Sequence, residues 1–553
     1  MSAIWFSSVH AVQVHPVGVL ILPGISHEEP SVLTGIPEIG CQMAARGFLA
    51  ASIDFAGDGH DIDDAIDSQF TQRWTAQIVA AIGFLRQCGA TRIVILATRL
   101  AAILALKVTE TEDIDAVVTW SPIFSGRRYV RELRMIASAE TNAPPDSSGS
   151  LLVGTYRITV PMRREIESLE LKTVQHSTAK RILYVESPDR SIDEASVKRL
   201  EALGAEVDQH VAEDTREWLS VNYLDTRAPA ASARAVAEWL HRHLTSSDDQ
   251  IMACRPELPK STEFAYEGQA LRETFVDVGA LRLNGVITEA LALTAGSSPI
   301  LFLESVGPGR TFVTAARRLA TQGRQVLRFD LAGHRTSPLR PDQKEIDVYG
   351  PTGLEDVRLA VEHLKTISAQ PIVIVGYCAR AWASLVCPPV SGVGGIAAIN
   401  VYLSIGYRKS AARSPASSFN QGPLSVWFNR WVKRVRDRLD RSRFLAGPAI
   451  SWIKAHRKAG VKLGFFYDSR DSCYLYWDTV IAGSFASDLA AGGIQVHKYD
   501  HLGHFAIGEP ARTTMFEDIT QFVQHCEQSN HVESSATDRP LTVDHDDIGS
   551  SHS

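Results

Sequence analysis

Short runs of apolar residues recur along the chain, and each run is followed by a turn and then by a longer segment with helical spacing. The runs in the first half are Val17–Leu22, 48–54, 92–96, Ala116–Trp120 and 181–185, and those in the second half are Ile300–Leu303, 326–330, 372–375, 461–467 and Ile494–Tyr499. Such runs, rich in Val and Ile, are typical of parallel strands covered on both faces. The pattern predicts an α/β fold with a mostly parallel, doubly wound sheet.

The same succession of segments occurs twice. Asp54-Phe-Ala-Gly57 follows the second run of the first half, and Asp330-Leu-Ala-Gly333 follows the second run of the second half. Farther along, Ser187-Pro-Asp189 corresponds in the same way to Ser469-Arg-Asp471. Self-similarity over this length predicts a tandem duplication, and therefore two domains with one plan.

The composition places the boundaries of these domains. We predict a first domain at 1–247 with an insertion at about 121–180, a linker at 248–273, a second domain at 274–529 with an insertion at about 402–460, and a tail at 530–553. The linker begins at a polar Ser-Ser-Asp-Asp stretch and contains two prolines, Pro256 and Pro259. The tail is rich in Ser, Asp and His without periodicity, which predicts disorder.

Composition and charge narrow the classes of function. The chain has 553 residues, 45% of them hydrophobic and 22% charged, with a formal net charge of −7. These values are ordinary for a globular protein and argue against a general nucleic-acid binder. The seven cysteines show neither a disulfide framework nor metal-ligand spacing, so we expect a reducing, cytoplasmic setting with no metal and no cofactor. No signal peptide or transmembrane segment is predicted, and the oligomeric state is not indicated.

A candidate nucleophile, Cys378, lies between a predicted strand and a predicted helix, Ala379–Val386. A sharp turn from strand to helix lifts its apex side chain clear of the sheet. The first amides of the helix can stabilise a thiolate and bind an oxyanion. The alternative is a buried cysteine after a core strand, and Arg380 stands where such turns usually have glycine.

Candidate partners for a nucleophile follow the last two predicted strands. The segment Asp468-Ser-Arg-Asp471 follows the strand at 461–467, and Asp500-His-Leu-Gly-His504 follows Ile494–Tyr499. Ligand sites of open parallel sheets lie at these carboxyl ends. A thiolate needs a base within reach, and the base needs a carboxylate that fixes its tautomer. The candidate acids are therefore Asp468 and Asp471, and the candidate bases are His501 and His504.

These motifs resemble those of the α/β-hydrolase superfamily. The chain order is nucleophile, acid, histidine, and Leu502-Gly-His-Phe505 with Glu509-Pro510 is similar to the family's G-H-F…E-x-P ending. The segment Asp330 to Ser337 resembles D-x-x-G-x-G-x-S, with Arg335 in place of the second glycine. The resemblance covers 300–522 and, more weakly, 17–244. It implies two tandem α/β-hydrolase-like domains, each a mostly parallel doubly wound sheet with a helical lid insertion.

The resemblance also implies roles for individual residues. It makes Cys378, Asp471 and His504 catalytic, with Asp468 and His501 as alternates. The amide of Ala379 and one amide of Ser305 or Val306 would form the oxyanion hole. A cysteine at the apex resembles dienelactone hydrolases, polyester synthases and the hydrolases that accompany exosortase and exopolysaccharide gene clusters.

The implied function is hydrolysis or transfer of an acyl group from an ester or thioester by the second domain. A polyester-synthase-like acyltransferase is one form of it. Two other hypotheses are a non-catalytic binding or scaffold protein and an aminopeptidase-like serine hydrolase relative. The last is disfavoured because Ser384 lies more than one turn into the helix.

The first domain lacks the reactive residues. Arg99 occupies the apex position, Arg216 or a neighbour stands where histidine belongs, and Asp189 remains alone. A carboxylate without nucleophile or base cannot transfer an acyl group. We therefore interpret this domain as a degenerate pseudo-hydrolase.

The insertion of the second domain is strongly basic. Trp427 and Trp431 begin an apolar stripe with a spacing of four residues, which predicts an amphipathic helix. Arg434, Arg438 and Arg441 lie on its remaining surface. This lid is either a packed cover with solvated charges or a surface that recruits an anionic small-molecule or carrier-bound acyl substrate. A basic amphipathic helix could also lie on a membrane surface.

Overall fold

The computed structural model describes residues 4–6, 13–25, 29–55, 57, 69–140, 149–153, 156–220, 226–246, 251–252, 260–294, 296–303, 309–333, 337, 340, 349–404, 443–504 and 511–537. These residues form two α/β units, each with its own large sheet and its own buried core. Among the described residues, none of the helices combines the length and the apolar character that crossing a membrane requires.

The first unit is built on a seven-stranded sheet. The strands of the whole unit, including four outside this sheet, are β1 (Ile4–Phe6), β2 (Gln13–Val14), β3 (Val17–Leu22), β4 (Leu49–Ile53), β5 (Arg92–Thr98), β6 (Ala116–Trp120), β7 (Leu151–Val153), β8 (Tyr156–Ile158), β9 (Arg181–Glu186), β10 (Glu206–Val211) and β11 (Ile251–Met252). Six of them run parallel in the order β4-β3-β5-β6-β9-β10, and β1 is antiparallel at the edge. Strands β7 and β8 form a hairpin within the predicted insertion.

Helices cover both faces of this sheet. They are α1 (Glu29–Ala44), α2 (Phe70–Gln87), α3 (Ala101–Val108), α4 (Gly126–Glu140), α5 (Val160–Ser168), α6 (Glu194–Ala202), α7 (Thr215–Trp218) and α8 (Ala230–Leu244). The insertion is tied to the sheet by Glu165 of α5. Its carboxylate accepts hydrogen bonds from the backbone amides of Gln69 and Thr71, at 2.6 and 3.0 Å, where α2 begins. These amides have no partner within their own helix, so the insertion caps α2.

The second unit is built on a nine-stranded sheet. The strands are β12 (Ser261–Tyr266), β13 (Gln269–Val278), β14 (Leu283–Ala290), β15 (Ile300–Leu303), β16 (Gln325–Phe329), β17 (Ile372–Tyr377), β18 (Val393–Ile399), β19 (Lys462–Asp468) and β20 (Ile494–Tyr499). The parallel strands follow the order β16-β15-β17-β18-β19-β20, which is the order of the first sheet. The helices are α9 (Gly309–Thr321), α10 (Pro351–Ile367), α11 (Ala379–Val386), α12 (Arg443–Lys458), α13 (Ser472–Tyr476), α14 (Ala486–Ala490) and α15 (Ala511–Thr537).

The predicted fold class is confirmed, because both units are mostly parallel sheets covered on both faces. Several predicted segments have the observed bounds, among them Val17–Leu22, Ala116–Trp120 and Ala379–Val386. In each sheet the first parallel strand, β3 or β15, lies between the two parallel strands that follow it in the chain, so the strand order changes direction there. Ligands of open α/β sheets usually bind in the crevice at such a point.

The predicted linker at 248–273 is wrong in its second part. Strand β12 and the first residues of β13 lie within it, and they pair antiparallel as part of the second sheet. A two-residue turn, Glu267 and Gly268, joins them with positive φ at both residues (48° and 78°), as in a type I′ hairpin. The prediction missed this hairpin because β12 alternates between exposed and half-buried positions and neither strand contains an apolar run within the predicted linker. Earlier in the predicted linker, β11 pairs with β2 of the first unit.

The predicted tail also begins later than expected. Helix α15 continues to Thr537, so residues 530–537 are helical, and residues 538–553 lie outside the described part of the chain.

A buried ionic cluster joins the antiparallel strands of the second unit to its parallel strands. The carboxylate of Glu273 on β13 accepts hydrogen bonds from Arg317 of α9 at 3.0 Å, Arg328 of β16 at 3.1 Å and Thr288 of β14 at 3.1 Å. Burial raises the pKa of Glu273, but the charges of Arg328 and Arg317 outweigh burial and lower that pKa below its usual value. The guanidinium of Arg317 also lies over the ring of Phe264, 4.6 Å from its centroid. The cluster therefore fixes four elements to one carboxylate.

We predict that Glu273→Gln lowers the free energy of unfolding by about 3–5 kcal/mol, because it leaves two buried guanidinium groups without their anion. The exposed pair of Arg282 and Asp277, at 2.7 Å, is the matched control. Asp277→Asn should cost less than about 1 kcal/mol, because solvent screens that pair. Urea unfolding followed by fluorescence measures both, and equal losses would contradict the role of burial.

The loss should also depend on pH. Since the folded-state pKa of Glu273 is lowered, its contribution to stability is fully present above the usual carboxyl pKa of about 4.3 and disappears as the pH falls through the folded-state value. The difference between wild type and Glu273→Gln should therefore shrink in acid.

Candidate active site

The turn between β17 and α11 has the geometry of a nucleophile elbow. Cys378 is its apex, with φ 48° and ψ −113°, a backbone conformation that is rare for any residue but glycine. Its amide donates a hydrogen bond to the carbonyl of Ile399 at 2.8 Å, which anchors the turn to β18. Gly376 is required here, because a Cβ at this position would lie 2.7 Å from the backbone nitrogen of Ala381. The thiol of Cys378 remains partly exposed.

Two loops at the carboxyl edge of the sheet bring an imidazole and a carboxylate to this thiol. His504 follows β20, and its Nε2 lies 3.3 Å from the Sγ of Cys378. Asp471 follows β19, and its Oδ2 lies 2.6 Å from the Nδ1 of His504. Asp471 also caps α13, because its Oδ1 accepts the amide of Cys473 at 2.8 Å. Thiol, imidazole and carboxylate thus form one continuous chain of contacts.

The charges of His504 and Asp471 stabilise each other. Burial lowers the pKa of His504, but its hydrogen bonds to Asp471 and Cys378 and their negative charges outweigh burial and raise that pKa to about 10. Burial raises the pKa of Asp471, but the hydrogen bond and charge of His504 outweigh it and lower that pKa to about 2. The site therefore favours an imidazolium held beside an ionised carboxylate.

The two alternate residues occupy other positions. Asp468 is buried, and its Oδ2 accepts the amide of Gly503 at 2.7 Å, so it supports the loop that carries His504. The carboxylate at the imidazole is that of Asp471. His501 is exposed, with a left-handed backbone at φ 63°. The structure thus brings Asp471 and His504 to Cys378, and it places Asp468 behind them.

Asn400 is a site residue that the sequence analysis missed. It follows β18 with φ 45°, and its side-chain amide donates to the carbonyls of His504 and Gly503 at 2.8 and 3.1 Å. Its Oδ1 accepts the amide of Asp468 at 3.0 Å, and the hydroxyl of Tyr377 donates to the same His504 carbonyl. The available signal was a lone amide residue directly after a buried strand, at the edge where the other site residues lie.

Arg380, the residue that departs from the glycine of the elbow pattern, lies buried beneath the elbow at 1% exposure. Burial lowers the pKa of Arg380 to about 10, against the opposing charge of Asp356, so the guanidinium stays protonated at neutral pH. Asp356 of α10 is fully buried and also pairs with Arg340. The elbow accommodates an arginine because this carboxylate offsets its charge, and the thiol of Cys378 stays accessible.

Only part of the predicted oxyanion hole and lid lies within the described residues. Ala379 is the first residue of α11, directly after the nucleophile. Ser305 and Val306 lie outside the described residues, as do the lid residues Trp427, Trp431, Arg434, Arg438 and Arg441. The described part of the lid is α12, where Trp452 contacts Trp382 of α11 edge-on, with ring centroids 6.3 Å apart.

The donor atoms of Asp471, Cys473 and His504 lie within 4.8 Å of one another, a spacing that could hold a metal ion. However, the carboxylate and the imidazole already share a hydrogen bond of 2.6 Å. Burial and the charge of Asp471 raise the pKa of Cys473 well above its usual value, which keeps that thiol neutral as a donor to Asp471. Asp471 is therefore already hydrogen-bonded to both of the other two side chains.

The first unit keeps the backbone of this site and has different side chains on it. Arg99 lies at the apex between β5 and α3 with φ 56°, and its amide donates to the carbonyl of Trp120 at 3.0 Å, as Cys378 does to Ile399. The guanidinium of Arg99 is buried and pairs with Glu132 of α4 at 2.7 Å. This elbow therefore carries a salt bridge to the insertion.

Asp189 is the third residue after β9, as Asp471 is the third after β19, but a different residue caps the helix that follows. Asp193 is the residue that caps the next helix, α6, and accepts the amide two residues on, as Asp471 does. Asp189 lies earlier in the loop, accepts a hydrogen bond from the hydroxyl of Ser187 and has a lowered pKa, chiefly because of that hydrogen bond. The charge of Arg216 in α7 acts on it in the same direction.

Comparison with known proteins gives fold-level similarity only. No family model and no curated protein matches the chain. Among solved structures, Est1E from Butyrivibrio proteoclasticus, with ferulic acid bound, is similar at 13% identity and a TM-score of 0.31 over 44% of this chain and 95% of its own. The esterase Pf2001 from Pyrococcus furiosus is similar at 13% identity and a TM-score of 0.31, over 46% of this chain and 93% of its own. XC6422 from Xanthomonas campestris, a serine hydrolase without a lid, is similar at 14% identity and a TM-score of 0.27, over 50% of this chain and 97% of its own.

The fold is assigned from the chain's own features. Six parallel strands in the order β16-β15-β17-β18-β19-β20, an elbow after β17 and a histidine loop after β20 form the second unit. The first unit repeats the strand order and the elbow. Both units therefore share a strand order and an elbow that are typical of the α/β-hydrolase fold.

Proposed function

We propose that the second domain is a cysteine-dependent enzyme that hydrolyses or transfers an acyl group from an ester or thioester. The observation that carries this proposal is the contact chain from Cys378 Sγ to His504 Nε2 at 3.3 Å and from His504 Nδ1 to Asp471 at 2.6 Å. The strained elbow presents that thiol at the carboxyl edge of the sheet.

Acylation proceeds from a thiolate paired with the imidazolium. The Cys378 sulfur attacks the carbonyl carbon, a C–S bond forms, and the carbonyl oxygen takes the negative charge. The amide of Ala379 and one from Ser305 or Val306 would hold that oxygen. When the intermediate collapses, the leaving alkoxide or thiolate takes the proton from His504 Nε2. Asp471 stays ionised throughout and holds the imidazole by Nδ1.

Deacylation reverses these roles. Neutral His504 removes a proton from water or from an acceptor hydroxyl, and the oxygen attacks the thioester carbon. Collapse releases the acid or the new ester and returns the sulfur as a thiolate beside the imidazolium. Whether water or another acceptor attacks decides between hydrolysis and transfer.

We further propose that the first domain is a pseudo-hydrolase. Its elbow holds Arg99, which pairs with Glu132, and a guanidinium cannot act as a nucleophile or, at neutral pH, as a base. The retained backbone with a lost nucleophile supports a structural or binding role for this domain.

The first test of the proposal is the reactivity of Cys378 toward an alkylating reagent. Wild type should react at Cys378 about tenfold faster than His504→Ala at neutral pH, because the imidazolium stabilises the thiolate. Since the pKa of His504 is raised to about 10, this advantage persists through neutral pH and is lost as the pH rises through that value. Peptide mapping by mass spectrometry identifies the modified residue.

Cys41, an exposed residue of α1, is the internal control. Partial desolvation of its thiol and the charge of Glu38 raise its pKa, so it should react slowly despite its exposure. Faster modification of Cys41, Cys88 or Cys473 than of Cys378 would contradict the assignment of the nucleophile.

The second test concerns the division of labour between the domains. Incubation with a panel of activated esters and thioesters should add one acyl group to Cys378, and Cys378→Ala should abolish both the adduct and turnover. Arg99→Ala should leave kcat within about tenfold, or roughly 1.4 kcal/mol in barrier. Residual turnover in Cys378→Ala that is lost with Arg99→Ala would show that the first domain is catalytic.

The third test concerns the basic lid, whose recruiting role stays a prediction. Neutralising Arg434, Arg438 and Arg441 together should raise KM for an anionic substrate and leave kcat nearly unchanged, because uniform binding is lost. A neutral ester should show neither that effect nor the salt dependence, since charges beyond about 8 Å are screened at physiological ionic strength. Equal salt dependence for both substrates would show that the lid is only a packed cover with solvated charges.

A further inference from the structure

A second polar side chain reaches the sulfur of the candidate nucleophile. The hydroxyl of Tyr349 lies 3.9 Å from the Sγ of Cys378, at the outer limit for a hydrogen bond to sulfur. Sulfur is larger and more diffuse than oxygen, so its hydrogen bonds are longer. Contacts of catalytic groups are also often long in a ligand-free site and shorten in the complex.

Tyr349 is held in place by its surroundings. It lies directly before Gly350, the N-cap of α10, and its ring contacts Trp382 of α11 edge-on with centroids 5.3 Å apart. The ring is thus packed between the two helices that flank the elbow, and its hydroxyl is half-buried. A phenol fixed in this way loses little conformational freedom when it forms a hydrogen bond.

The charge of the sulfur sets the direction of this hydrogen bond. A thiolate has no proton and can only accept, whereas the phenol hydroxyl can donate. With Cys378 ionised, the hydroxyl of Tyr349 is therefore the donor.

We propose that Tyr349 is a catalytic residue that donates a hydrogen bond to the Cys378 thiolate. This inference rests on the proposed function of Cys378 as the nucleophile. A hydrogen bond to an ionised acceptor is about twice as strong as one between neutral groups, so it favours the thiolate over the thiol.

The hydrogen bond from Tyr349 to the sulfur acts in both acylation and deacylation. No proton leaves Tyr349. When the C–S bond forms, the sulfur loses its charge and the hydrogen bond weakens. When the acyl-enzyme is resolved and the C–S bond breaks, the sulfur regains the electron pair and the same hydroxyl stabilises the departing thiolate. Tyr349 thus assists the sulfur as nucleophile and as leaving group.

The test is the pH dependence of Cys378 alkylation in Tyr349→Phe, which removes the hydroxyl and keeps the ring. Tyr474→Phe is the matched control, because its hydroxyl donates to Asp478 at 3.2 Å on the exposed side of α13. Iodoacetamide rates are measured from about pH 5 to about pH 10, a range that spans the titration of ordinary and activated thiols. Tyr349→Phe should move the profile to higher pH and slow the reaction about tenfold at neutral pH. Tyr474→Phe should match wild type.

A Tyr349→Phe profile that overlaps those of wild type and Tyr474→Phe would overturn the inference. Turnover adds a second readout, since loss of the donor should lower kcat with little change in KM. A rise in KM at unchanged kcat would instead show that Tyr349 only binds substrate, and would also overturn it.

The inference and the proposed function fail in different ways. If the ester and thioester panel never acylates wild-type Cys378, the proposed function fails even when Tyr349→Phe shifts the alkylation profile. If acylation occurs and the profile does not shift, the role of Tyr349 fails and the proposed function stands.

Discussion

The strained backbone of Cys378 is the constraint on which the second domain's site depends. A non-glycine residue at φ 48° costs about 1–3 kcal/mol, and such conformations persist only where the surroundings over-determine them. Here β17 is fully buried between β15 and β18, the amide of Cys378 is bonded to Ile399, and Gly376 lets the helix approach closely. A core strand on one side and a helix on the other thus force the thiol outward. Everything else at the site is arranged relative to that sulfur.

The loop that carries His504 is held as firmly as the elbow. Its carbonyls at Gly503 and His504 are bonded by Asn400, its Gly503 amide is bonded by Asp468, and its imidazole is bonded by Asp471. Two carboxylates are therefore used for different purposes within four residues of sequence. One fixes the backbone of the loop, and the other fixes the tautomer of the base. Preorganisation of this kind removes the cost of ordering the base when a substrate binds.

The two units show that backbone geometry and chemistry can separate. The first unit keeps the strand order, the elbow at Arg99 with φ 56°, and a second strained residue, Ser121 with φ 46°, where the second unit has Asn400 with φ 45°. These angles are set by the junctions of strand and loop, which both units need for packing. The side chains at the junctions are not constrained in this way. In the first unit they form salt bridges and hydrogen bonds, such as Ser121 to Glu186, instead of a nucleophile and its base.

By itself the sequence determined the fold class, because buried parallel strands appear as apolar runs. It also placed Cys378 at an elbow, with candidate acids and histidines at the same edge of the sheet, because the carboxyl ends of parallel strands share one edge. It also marked Arg99 as an apex without a nucleophile. It did not determine the hairpin of β12 and β13, whose half-exposed strands lack an apolar run, or the cluster around Glu273, whose partners are far apart in sequence. Nor could it choose between Asp468 and Asp471, since the two lie three residues apart at the carboxyl end of one strand, β19. That choice, the support from Asn400 and the burial of Arg380 against Asp356 were decided by tertiary structure. Each depends on side chains from separate loops packing at distances of a few ångströms, which spacing along the chain does not encode.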